Sequence, residues 1–301
     1  MLPADLGRLV TVSDPAVSPD GQHVTVTVSR VDVDANRYRS AIWLDGRPFT
    51  SGEESDSGAR WSPDGERIAF VRGVHLDDDD MRYDLCVLPV QSAGEPLVVA
   101  SSAEEIETVD WSPDGSRLAW ASRVRDPGAD AKDRDREPRR IDTLFSRLDD
   151  VGWTVDRRTQ VFVGRLDGTE AARQVTEGPF EHHSPRWSPD GRSLVLSAAR
   201  HDGWDLDVVA DLWVLDVEDG SLRTLTPTDR AYRLPSWSPD GTRVAALALD
   251  ERQGWRNTRP VVVDVETGAV TDVAPGVDRT FAPYPGERPP VWVDDGTLLV
   301  T

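Results

Sequence analysis

The sequence is poor in cysteine, with Cys86 alone in 301 residues, which excludes an intramolecular disulfide framework and a thiolate cluster for zinc and fits a reducing compartment. Lysine is as scarce: Lys132 is the only one, so 33 of the 34 basic side chains are arginine. No apolar run approaches the roughly 18 residues that span a bilayer. The opening Met1-Leu2-Pro3-Ala4-Asp5-Leu6 lacks the basic and apolar regions of a secretion signal, so a cytoplasmic protein with no membrane partner is expected. Basic residues are outnumbered 54 to 34, for a net charge of −20. Such a surface repels polyanions and excludes a nucleic-acid partner; it is also the surface of a protein working in concentrated salt, where screened carboxylates stay hydrated.

What the chain does have is 38% hydrophobic residues, 11 tryptophans, and a repeat. Val17-Ser18-Pro19-Asp20-Gly21, Trp61-Ser62-Pro63-Asp64-Gly65, Trp111-Ser112-Pro113-Asp114-Gly115, Trp187-Ser188-Pro189-Asp190-Gly191 and Trp237-Ser238-Pro239-Asp240-Gly241 are copies of one element, with a degraded sixth at Trp292-Val293-Asp294-Asp295-Gly296. The glycines Gly21, Gly65, Gly115, Gly191, Gly241 and Gly296 advance by 44, 50, 76, 50 and 55 residues. That spacing is the period of a propeller blade, with an insertion in the third interval.

Proline presets φ at the second position of a turn, serine and aspartate satisfy turn amides, and glycine accepts the positive φ that follows. Strand patterns flank the turns, as in Arg67-Ile68-Ala69-Phe70-Val71 and Ser193-Leu194-Val195-Leu196-Ser197. A second strand pair lies between successive turns, as in Leu212 to Val217 followed by Leu222 to Thr226. Two hairpins per unit give four-stranded antiparallel blades whose two apolar faces are satisfied only by stacking. The expected fold is therefore all-β, a β-propeller of about six blade units forming a single domain over 1–301, with the tryptophan before each turn filling the space between blades. Because the chain stops within Leu298-Leu299-Val300-Thr301, the ring is expected to be incomplete at the C-terminus and Thr301 to be a truncation point.

These corners, the opening Leu2-Pro3-Ala4-Asp5-Leu6, the segment Asn36 to Trp43, Ser184-Pro185-Arg186-Trp187 and the stretch Asp205 to Val214 resemble the N-terminal propeller of prolyl oligopeptidase-family serine peptidases, most closely the acylaminoacyl-peptidase-like branch. The resemblance covers essentially all of the chain, although TolB-like propellers share the blade motif. It implies a substrate-gating propeller followed by an α/β-hydrolase domain that carries Ser, Asp and His and acts on peptides. No Gly-x-Ser-x-Gly elbow occurs here; Gly191-Arg192-Ser193 is the nearest approach, followed by Leu194-Val195. The chain therefore offers no catalytic residue, and the alternative is a stand-alone TolB-like protein-interaction propeller.

No cofactor or metal is expected. His182 and His183 are adjacent and read as a loop entering a blade, since neighbours on a strand face opposite ways. Asp77-Asp78-Asp79-Asp80 and Asp202, Asp205 and Asp207 lack the glycine and terminal glutamate of a calcium loop and read as acidic hairpin tips. The charged insertion at about 123–158 is the strongest candidate site. Its Arg134, Arg136, Arg139 and Arg140 are read as gating or interdomain contacts able to meet a carboxylate bidentately, or else as charges paired within a solvated excursion. The following Ile141-Asp142-Thr143-Leu144-Phe145 is expected to regain core character.

Overall fold

The computed structural model describes residues 3–76, 80–91, 94–127, 138, 140–149, 151–250, 257–281 and 288–301. After a 3-10 turn (Pro3–Arg8) come β1 (Val10–Val17), β2 (Val24–Asp32), β3 (Arg37–Leu44) and β4 (Arg47–Pro48), then β5 (Ser55–Trp61), β6 (Arg67–His75), β7 (Met81–Pro89) and β8 (Leu97–Ser102). Next are β9 (Ile106–Trp111) and β10 (Arg117–Arg125), a short hairpin β11 (Arg147–Leu148) and β12 (Gly152–Trp153), then β13 (Arg157–Arg165) and β14 (Arg173–Gln174). The chain continues through β15 (His182–Trp187), β16 (Ser193–Ala198), β17 (Asp211–Asp216) and β18 (Leu222–Thr224), and through β19 (Ala231–Trp237), β20 (Arg243–Leu249), β21 (Arg259–Asp264) and β22 (Val270–Asp272). It ends with the hairpin β23 (Val291–Asp294) and β24 (Thr297–Leu299). These are the four-stranded blades of an all-β propeller. The first two sets are joined into one eight-stranded sheet by a parallel bridge from Ser40 to Ser55.

Contacts divide the chain into two compact units, Met1–Leu118 with Val163–Arg173 and Ala119–Phe162 with Gln174–Thr301. The middle strands β6, β10, β16 and β20 are buried along most of their length, at successive positions and so on both faces, and their sequences accordingly run apolar without alternating. In the first unit Ile42, Ala59, Ile68, Phe70, Cys86 and Leu88 form one core. In the second, Val195, Leu212, Tyr232, Val244, Ala246 and Val261 form another.

The five corners share one hydrogen-bond pattern. In the second, the Ser62 hydroxyl donates to Asp64 Oδ1 at 2.5 Å and accepts from the Arg67 amide at 2.9 Å, while Asp64 Oδ1 also accepts from the Glu66 amide at 3.0 Å. The same three bonds recur around Ser18, Ser112, Ser188 and Ser238. Gly21, Gly65, Gly115, Gly191 and Gly241 take φ between 67° and 73°, a region that a side chain rarely enters. Gly296 does not share this φ; its amide instead donates to Asp294 Oδ1 at 2.7 Å, so the degraded sixth copy makes a different turn.

Corner tryptophans tie successive blades together. Within the first unit Trp61 Nε1 donates to the Ala16 carbonyl at 3.1 Å and Trp111 Nε1 to that of Arg60 at 3.0 Å. Within the second, Trp237 Nε1 donates to Arg186 and Trp292 Nε1 to Ser236, both at 3.1 Å. Each acceptor is the residue just before the preceding corner's first residue. A cation or aromatic ring two positions past the preceding glycine covers the indole: His23 on Trp61, Arg67 over Trp111 and Arg243 over Trp292. Strands β1, β5, β15 and β19 carry a bulge just upstream of these carbonyls, with Asp14, Gly58, Ser184 and Leu234 at positive φ.

Two expectations follow. Trp237→Phe keeps the ring and deletes the indole donor, and should lower the urea-unfolding free energy by about 1 kcal/mol; an unchanged midpoint would contradict the tie. The corner carboxyls sit below their ordinary value of 3.8, held first by the serine hydroxyl and then by the backbone amide, with Asp114 and Asp240 at about 2. A lowered folded pKa contributes stability above the unfolded value and loses it as the pH falls. Asp114→Asn should therefore be less stable than wild type at about pH 7, with the difference shrinking towards about pH 2; a difference independent of pH in chemical denaturation would overturn this.

Candidate functional site

Strand β15 runs from His182 to the corner at Ser188, so its start lies at the end of the blade away from the corner. Segments at that end, all in the second unit, build the candidate site. The insertion leaves β10 at Asp126 and rejoins before β13 at Asp156, and the Asp126 amide donates to the Asp156 carbonyl at 2.8 Å. Between them, Thr154 closes the β11–β12 hairpin by donating its hydroxyl to the Phe145 carbonyl at 3.1 Å, and Arg147 lies over Trp153. Arg134, Arg136 and Arg139 lie outside the described residues. The Arg140 side chain is 90% exposed and sits 3.7 Å from Asp142; it pairs within the insertion.

The expected core character of 141–145 is corrected by the structure. Ile141, Leu144 and Phe145 are 51%, 68% and 45% exposed, and among the described residues the segment belongs to no strand. The Leu144 amide reaches Asp205 at 3.4 Å, which links the insertion to the loop after β16.

A cavity of about 510 Å³ opens here, lined among others by Asp126, Asp142, Thr143, Arg158, Gln160 and Gln174. Among the described residues its lining holds no serine, cysteine or histidine, and its one hydroxyl is that of Thr143. Gln160 is committed to structure, donating to the Gly178 and Phe180 carbonyls at 3.2 Å and accepting from Thr176 at 2.7 Å. Behind the cavity, Glu181 takes Arg123 at 3.2 Å and Arg158 at 3.4 Å, and accepts from the Thr159 amide at 2.9 Å. Burial pushes the Glu181 carboxyl up, but the Thr159 hydrogen bonds and the Arg123 charge outweigh it and hold the group below its ordinary value. Arg158 lies over Trp204, whose ring meets Phe180 edge-on.

His182 and His183 open β15 and are not in a loop, because the blade's inner strand starts earlier than the corner motif signals. His182 is fully buried, and its Nε2 accepts from Arg200 at 2.7 Å, while Arg200 stacks on Phe180 and Trp213. Burial, then the Arg200 charge, lower the imidazole to about 4. Residues 77–79 of the first acidic run lie outside the described residues. In the second, Asp207 is bonded to His201 at 3.1 Å and to the Val209 amide at 2.9 Å. Among the described residues no three carboxylate, thiol or imidazole groups converge on one point. Sequence reasoning missed Glu181, Arg158 and Arg200, which stand at no repeating spacing; β13 belongs to one sheet and β15 and β16 to the next, and side-chain contacts through Glu181, Trp204 and Phe180 bring them together.

No family model matches the chain. It is 27% identical over 233 residues to an uncharacterized peptidase, YuxL, of Bacillus subtilis, covering 70% of this chain and 33% of that protein. The acylaminoacyl peptidase of Pyrococcus horikoshii superposes with a TM-score of 0.69 at 20% identity, over 92% of this chain and 41% of that one. The β-propeller domain of the Trilobed protease from Pyrococcus furiosus gives 0.60 at 15% identity, over 91% of this chain and 75% of that one. The chain thus spans about a third of the curated relative, and the resemblance read from its corners holds.

His182 generates an expectation. Its unfolded value near 6.5 exceeds its folded value of about 4, so the unfolded chain binds the extra proton and stability falls as the pH drops from about 6.5 to about 4, by up to about 3 kcal/mol. His182→Gln keeps an acceptor for Arg200 and should flatten that slope in urea titrations. An unchanged slope would place the loss elsewhere.

Proposed function

We propose that this chain is the substrate-gating propeller of a serine peptidase of the prolyl oligopeptidase family, on the acylaminoacyl-peptidase-like branch. Its parent would cleave peptides by acyl transfer to a serine in an α/β-hydrolase domain. One observation carries the reading: likeness to a peptidase runs over 70% of this chain but only 33% of that relative, so what is shared is a propeller-sized part of a larger enzyme. The cavity at the blade ends, lined by carboxylates, a guanidinium and side-chain amides, supports a binding role. The single cysteine supports placing the protein in the cytoplasm. Arg134, Arg136, Arg139 and Arg140 remain proposed gating or interdomain contacts.

The test is labelling with a serine-directed fluorophosphonate. Residues 1–301 alone should not label and should hydrolyse no peptide. The polypeptide of the complete reading frame should label at a residue beyond 301 and release fluorophore from peptidyl aminocoumarins. Hydrolysis by residues 1–301, or a complete reading frame that neither labels nor cleaves, would overturn the reading.

A further inference from the structure

The blade ends around the start of β15 hold more positive than negative charge. Arg123 and Arg158 share one carboxylate, Glu181, and Arg157 is balanced by Asp156 at 3.4 Å. Arg200 has no such partner: among the described residues it makes no ion pair, and the exposed Glu177 acts on it only from beyond that distance. Arg200 belongs to the same cluster, since it lies over Phe180, whose ring meets that of Trp204 under Arg158. Asp126 and Asp142 line the neighbouring cavity, yet neither pairs with Arg123, Arg158 or Arg200. Arg123, Arg158 and Arg200 are thus set against one carboxylate, in a protein of net charge −20.

Arg200 is held without being neutralised. Its Nη1 donates to Nε2 of the fully buried His182 at 2.7 Å, and its guanidinium carbon lies 4.6 Å from the Phe180 ring centre and 5.5 Å from that of Trp213. A neutral acceptor and two rings fix the plane of the group and leave its charge whole, and one N–H of the five a guanidinium carries is engaged. The residue is partly exposed, so the remaining donors can be approached. Keeping a desolvated charge unpaired costs stability, and an anionic ligand would offset that cost. We propose that Arg200 anchors a binding site for a carboxylate, whose two oxygens the planar guanidinium receives side by side. A multiply charged phosphate fits less well, because the acidic surface repels it more strongly. The carboxylate could belong to the C-terminus of a peptide or to a small free acid; the chemistry is shared, and the probes separate the two. The inference stands on this cluster and does not depend on the peptidase reading.

The test is calorimetric titration of residues 1–301 at neutral pH and fixed ionic strength with acetyl-glycyl-glycine, its C-terminal amide, acetate and inorganic phosphate. Acetyl-glycyl-glycine should bind and its amide should give no heat; equal affinity for acetate would assign the site to free acids, and weaker acetate binding to peptide C-termini. Arg200→Met keeps the stacked stem and removes the charge, and should weaken carboxylate binding about tenfold or more while leaving the urea midpoint at or above that of wild type. Arg200→Lys keeps the charge without the fork and should bind with intermediate affinity, which reads the site even if Arg200→Met fails to fold. No binding by either carboxylate, equal binding of the amide, tighter binding of phosphate, or wild-type affinity in a folded Arg200 variant would overturn the site.

Discussion

The structure depends on one hydrogen bond repeated at four places, from the indoles of Trp61, Trp111, Trp237 and Trp292 to the carbonyl that precedes the previous corner. Each such bond contributes on the order of 1 kcal/mol, which by itself is little. Its importance is geometric. The indole must reach a particular backbone oxygen one blade away, and that oxygen is aimed by the bulge beside it, so sheet register and sheet stacking are fixed by the same residues. Val17 stands where the other corners have tryptophan, and its blade takes part only as acceptor, through Ala16 to Trp61.

A second contact follows from the first. An indole whose nitrogen points at the preceding blade turns its ring towards the residue after that blade's corner, and over Trp61, Trp111 and Trp292 that residue is an imidazole or guanidinium, whereas for Trp237 it is Ser193. Arg67 over Trp111 at 5.3 Å and Arg243 over Trp292 at 5.2 Å are near copies. The sixth turn retains both contacts to the fifth blade although its Ser-Pro pair is gone and its glycine has a different φ. Stacking thus survives loss of the turn chemistry, because the tryptophan's partners are supplied by the blade before it.

The corners were legible in the sequence because all their bonds close within six residues and use side chains whose chemistry is local. The bulges were not. Three have proline after the positive-φ residue, at Pro15, Pro185 and Pro235, and that recurrence was available as a signal, but Leu234 is not a residue whose chemistry suggests a positive φ. The apolar run at 141–145 failed for the opposite reason. Composition resembled core, yet burial in this fold comes from strands stacked in sheets, and the segment between β10 and β13 belongs to none. The cluster of Arg123, Arg158 and Glu181 joins residues 23 to 58 positions apart, and no period in the sequence connects them.

This division also explains why the candidate site lies where it does. At the corner end the serine, the aspartate and three amides satisfy one another in all five turns, so a ligand could not take those groups without breaking the turn. The other end carries the connections whose lengths differ, and there groups are held in place by partners that do not exhaust them. Arg200 donates to a neutral imidazole and so keeps its charge uncompensated by that contact, and Asp126 spends its backbone and not its carboxylate. A propeller can change what it binds only where its repeat is relaxed, and in this chain that is the rim around the insertion.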